Sequence, residues 1–187
     1  MPRAVDPHRS LTAALEAYAR CHPGDPVAAR FRRFLADTPT ALARSRLRGH
    51  VTASAWVVDR AARAAVLIFH PQLERWLQPG GHLEAGEDTV QAADREAREE
   101  TGLSSLNAAA PAIFDLDVHL IPERPGEPAH LHWDVRHVVE ACATEIPRPT
   151  EEIRTAVWVP WAKIAEKTNA QSVLRLARRV QADEPRG

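Results

Sequence analysis

Lysine and cysteine are scarce in this chain of 187 residues. The two cysteines, Cys21 and Cys142, lack the spacing of a thiolate metal site. One pair supplies no disulfide framework, so free thiols in a reducing compartment are expected. Lysine occurs only at Lys163 and Lys167, which leaves arginine to carry almost all positive charge. No run approaches the roughly 20 apolar residues that span a bilayer. The opening residues lack the charged-then-apolar order of a secretory signal, so a cytoplasmic location without membrane association is expected. The net charge of −1, with nine histidines neutral, gives no global field toward nucleic acid. What is present, 44% hydrophobic and 26% charged residues, suits one globular domain with a real core and a modest extension.

Hydrophobic periodicity divides the chain near residue 48. The spacing predicts a helix capped by Ser10, carrying Leu11, Leu15 and Tyr18, and ended by His22-Pro23-Gly24. Asp25-Pro26 opens a second helix with Val27, Phe31, Phe34 and Leu35, and a short helix through Leu42 follows Thr38-Pro39. From Gly49 the pattern turns to strands: 50–58 and 64–70 form a hairpin about the polar turn 59–63. A helix is expected at 89–101, strands at 111–119, 130–142 and 155–159, and helices at 161–166 and 170–182. The expected organisation is a helical extension over 1–48 and a domain over 49–187, of α/β (α+β) class.

The chemistry concentrates between Gly81 and Leu103. Asp88 suits a helix N-cap with Gln91 completing a capping box, and Gly102 suits the left-handed position that ends the helix. Between them Glu96, Glu99 and Glu100 have i, i+3, i+4 spacing, which puts three carboxylates within about a 100° arc of one helix face. Like charges so placed repel unless they stay solvated or bind a cation, and hard carboxylate oxygens suit Mg²⁺ or Mn²⁺. Arg95 offsets part of the repulsion through its i+4 relation to Glu99. Val90, Ala93 and Ala97 give the neighbouring face small residues that allow close packing.

The spacing G-x5-E-x7-R-E-U-x-E-E-x-G-U, with U apolar, resembles the Nudix box. Gly81, Glu87, Arg95, Glu96, Glu99, Glu100 and Gly102 fill its fixed positions; Ala97 is small for its apolar slot. The resemblance implies a Nudix-type α/β/α sandwich with a mixed sheet and an enzyme that cleaves a diphosphate bond in a nucleoside diphosphate linked to another moiety. By the same resemblance Glu99 and Glu100 match the main metal ligands, and Glu96 is either a further ligand or the base that activates water. The Gly81 carbonyl completes the metal shell, and Glu87 and Arg95 support the loop and helix. Family members draw one more carboxylate from a later loop, where Glu152 is favoured over Glu151. Homodimers are common in the family. The segments 50–54, 76–84 and 130–137 resemble a bacterial subgroup with a helical N-terminal extension.

Histidine is the unusual component. On an extended strand His130, His132, Asp134 and Arg136 share one face, and Asp115, Asp117 and His119 alternate likewise. Three readings stand: a polar cleft of His82, His119, His130 and His132 that grips a phosphate or sugar-like group; a second metal site of His119, His130 and His132; or hydrogen-bonded imidazoles of a sheet. Arg136, facing such a cleft, would bind phosphate bidentately. Trp133 falls on the opposite, core-facing side. Two other functions are open: a catalytically silent Nudix domain that senses a ligand, and isomerase chemistry on the same scaffold with Cys142 as nucleophile.

Overall fold

The structure, a computed structural model, describes residues 6–44, 49–148, 153 and 155–183. Two compact units emerge. The first comprises Met1–Ser54, Gly81–Ala93 and Ala110–His137; the second comprises Ala55–Gly80, Asp94–Ala109 and Val138–Gly187. No helix among the described residues is long and apolar enough to cross a membrane.

The first unit opens with α1 (Pro7–Cys21) and α2 (Pro26–Asp37). Both start the same way. Asp6 and Asp25 cap them by accepting from the His8 and Val27 amides, with proline at the first helical position. The first cap is therefore Asp6 and not the expected Ser10, whose amide instead closes the first turn onto the Asp6 carbonyl. Residues 39–43 form turns in place of a short helix, because the Ala41 carbonyl accepts from Val51 at 2.7 Å. The N-terminal part of β1 (Gly49–Asp59) follows, with β4 (Gly80–His82), β5 (Asp115–Ile121) and β6 (His130–Glu140), and β6 stands between β1 and β5. The strand expected from 111 starts only at 115. The Ala110 and Ala112 carbonyls are taken by the His137 ring, at 3.0 and 3.2 Å, and not by a ladder. Gly49 has φ +119°, and a Cβ there would run into the Leu131 carbonyl, so only glycine lets β1 pass this close to β6.

In the second unit the C-terminal part of β1 pairs antiparallel with β2 (Ala64–His70). β2 in turn pairs antiparallel with both β3 (Arg75–Leu77) and β7 (Ala156–Pro160). Its core is Val57, Val58, Ala65 to Ile68, Val173, Leu176 and Val180. The expected helix at 161–166 is a 3₁₀ turn at Trp161–Lys163 followed by one α turn, α4 (Ile164–Lys167); α5 (Gln171–Ala182) closes the described fold. One helix, α3 (Thr89–Thr101), runs from the first unit into the second, with Ala92, Ala93 and Ala97 fully buried.

Helix α2 is joined to β6 through aromatic packing. Trp133 stacks on Phe34 at 4.2 Å and meets the edge of Phe31 at 5.2 Å. Phe31 is fully buried, so Phe31→Ala should lower the unfolding free energy by about 3–5 kcal/mol in urea denaturation.

Candidate functional site

The loop before α3 is built by its own side chains. Glu87 accepts from the Glu84 amide at 2.9 Å and returns its own amide to the Glu84 carbonyl. Asp88 accepts from the Val90 and Gln91 amides, and Gln91 accepts from the Asp88 amide at 3.0 Å, the reciprocal capping box. At the other end Gly102 takes φ +63° and donates to the Arg98 carbonyl. A Cβ on Gly102 would collide with the Arg148 carbonyl, and the Arg148 amide bonds Thr101.

The three glutamates differ in setting. One nitrogen of Arg95 donates to Glu96 at 2.9 Å and to Glu99 at 3.0 Å. The Glu96 side chain is 14% exposed and Glu99 56%. Two carboxylates sharing one cationic nitrogen are already arranged around a positive charge. Glu100 accepts from the Gly80 amide at 2.8 Å, which holds the carboxylate to the glycine turn that continues into Gly81. Hard oxygens converging on one cation suit Mg²⁺ or Mn²⁺ better than a softer metal.

The NUDIX domain model matches residues 48–180. The chain belongs to the Nudix hydrolase family. Solved structures share its fold. They include an Ap4A hydrolase from C. elegans (18% identity, TM-score 0.56, 71% of this chain and 95% of the other). A MutT protein from Methanosarcina mazei Go1 aligns with 16% identity, TM-score 0.55 and coverage of 74% and 97%. The E. coli dihydroneopterin triphosphate pyrophosphohydrolase aligns with 17% identity, TM-score 0.52 and coverage of 69% and 92%. At these identities the likeness establishes the Nudix α/β/α sandwich. No curated protein matches. As a Nudix hydrolase the chain is a hydrolase of phosphoric anhydrides, with the N-terminal helices added to the family fold.

Outside the box the sequence-predicted residues separate. Glu151 and Glu152 lie outside the described residues. Arg136, expected to reach a phosphate if it faced a cleft, is 1% exposed. Its Nε donates to Asp134 at 2.8 Å, and its terminal nitrogens pair with Asp115 at 3.1 Å and Asp117 at 3.3 Å. The Thr52 and Ser54 hydroxyls also donate to Asp134. Cys21 and Cys142 are free and exposed, and the Cys142 thiol meets Thr144.

The histidines gather around one that sequence reasoning missed. His50 has ring centroids 4.8 Å from His82, 5.1 Å from His130 and 4.8 Å from His132. His119 stands at the edge, 5.5 Å from His132, with its Nδ1 against Asp117 at 3.1 Å. Burial, then the neighbouring His50, pushes the His82 imidazole down to about 4 and His132 to about 2. His137 is apart from them and bonds Thr89 at 3.0 Å, tying β6 to the first residue of α3.

Two outcomes follow. Removing the guanidinium in Arg136→Met leaves buried carboxylates without their cation, so chemical denaturation should read a loss of about 3–5 kcal/mol. Burial lowers the His137 pKa, so the unfolded chain takes up this proton first as pH falls. The stability from neutral His137 is complete above the ordinary histidine value of about 6.5 and is lost below it. His137→Gln should be less stable than wild type at pH 7.5 and should lose less between pH 7.5 and 5, as read by urea melts at both values.

Proposed function

We propose that this Nudix hydrolase is a divalent-metal-dependent pyrophosphohydrolase that cleaves the diphosphate bond of a nucleoside diphosphate linked to another moiety. The carrying observation is the intact acidic face of α3, with Glu96 and Glu99 sharing one Arg95 nitrogen and Glu100 held by the Gly80 amide. Within this reading residues 49–187 form the catalytic domain and 1–48 a helical extension.

Glu99 and Glu100 would hold Mg²⁺ or Mn²⁺, with Glu96 and the Gly81 carbonyl as further oxygens. The bound cation supplies Lewis-acid polarisation of the phosphate oxygens and a template for in-line attack by water. Glu96, the more enclosed of the two carboxylates on Arg95, would be either that further ligand or the base that accepts the proton of the attacking water. Arg95 keeps Glu96 and Glu99 at a fixed separation. Glu87 and the Asp88–Gln91 cap hold the loop that leads into the helix. The silent, ligand-sensing alternative is disfavoured because no box glutamate is lost.

Glu99→Gln and Glu100→Gln should each lower metal-dependent turnover by about a thousandfold or more, roughly 4 kcal/mol of barrier. The assay is chromatographic separation of the nucleotide products formed from nucleoside triphosphates, nucleotide sugars, ADP-ribose and dinucleoside polyphosphates with Mg²⁺ or Mn²⁺. Full activity in both variants would overturn the assignment. Absence of turnover by wild type across the panel, together with tight binding of one member, would select the sensing alternative.

A further inference from the structure

The histidine group lies within the first compact unit and draws no donor from α3. We propose that His50, His130 and His132 form a second metal site, selective for a borderline divalent cation of the Zn²⁺ class, with His82 placed to complete it.

Geometry carries this. One ring nitrogen from each of His50, His130 and His132 lies within 4.8 Å of the others. The His130 and His132 Nε2 atoms are 3.2 Å apart. Two nitrogens bound about 2.05 Å from a tetrahedral Zn²⁺ stand about 3.3 Å apart, so this pair already has the required span. The widest pair must close by about 1.5 Å, within reach of χ rotations of the imidazoles. His82 adds a fourth ring, 4.8 Å from His50 and 5.2 Å from His132.

The hydrogen bonding sets the tautomer. His130 Nδ1 faces the Pro128 carbonyl at 2.9 Å. A carbonyl only accepts, so Nδ1 carries the proton and Nε2 carries the lone pair, directed at His132. A backbone carbonyl that fixes the far nitrogen of a ligating histidine is the usual support of an imidazole–metal bond. Asp117 holds His119 by Nδ1 at the half-exposed rim of the group, where the side chain is 42% accessible.

The donor set separates one class of cation from another. An imidazole set without a carboxylate ligand selects Zn²⁺, Ni²⁺ or Cu²⁺ over Mg²⁺. Position explains why the group forms: His130 and His132 share a face of β6, and the close passage of Gly49 beside Leu131 brings His50 to them.

The test uses the full chain, stripped with chelator and returned to excess Mg²⁺. Zn²⁺ is titrated by calorimetry and Co²⁺ by visible absorption. Wild type should bind one Zn²⁺ that excess Mg²⁺ does not displace, and Co²⁺ should show the intense band of a tetrahedral site. His130→Ala and His132→Gln should each weaken Zn²⁺ binding beyond the roughly 10- to 100-fold that loss of a supporting partner costs. The Glu99→Gln, Glu100→Gln double variant should bind Zn²⁺ as wild type does, which keeps this result separate from the fate of the hydrolase reading. Should the histidine variants fail to fold, imidazole ¹⁵N spectra of wild type decide: the His50, His130 and His132 signals must shift together on adding Zn²⁺. Absence of Mg²⁺-resistant Zn²⁺ binding by wild type, its survival in folded His132→Gln, or unshifted imidazole signals would each overturn the proposal.

Discussion

A single buried guanidinium governs the histidine-bearing strands. The antiparallel register of β5 and β6 sets Asp115 opposite Arg136, Asp117 opposite Asp134 and His119 opposite His132. Two aspartates facing each other across a ladder repel, and in a buried layer the repulsion is poorly screened. Arg136 resolves this by giving Nε to Asp134 and its terminal nitrogens to Asp115 and Asp117. Thr52 and Ser54 bring β1 into the same network through Asp134. Three strands are thereby locked in one register, and the imidazoles at 50, 119, 130 and 132 take their places from it.

The parts legible in the sequence are those set by local chemistry. The capping box at Asp88 and Gln91, the left-handed Gly102 and the i+4 pairing of Arg95 with Glu99 each involve residues within one turn of helix, and each has the expected geometry. Alternation along β6 correctly sent Trp133 to the core, where it meets Phe31 and Phe34. What escaped the sequence depends on contacts far apart in the chain. His50 joins His130 only because β1 lies beside β6, and nothing around residue 50 signals this. Arg136 reads as a phosphate ligand from its own strand, and its three aspartates become visible only with the neighbouring strands in place. At residues 110–112 a buried imidazole took carbonyls that a strand would have used.

The box and the histidines apply opposite solutions to clustered polar groups. On α3 two carboxylates, Glu96 and Glu99, share one cation, Arg95. Around His50 the imidazoles present ring nitrogens, with the His130 Nε2 directed at His132. Hard oxygen and imidazole nitrogen donors rank divalent ions differently.

The alternation along β6 also bears on which changes of length this chain can accept. Trp133 lies under α2 on one side of the strand while His130 and His132 stand on the other. An inserted or deleted residue absorbed within the strand would exchange the two sides, pressing an imidazole against Phe31 and Phe34 and turning an indole toward His50. The loop at 122–129 can lengthen or shorten because it lies ahead of this constraint. The strand itself admits indels only in pairs, which keep each side chain on its own face.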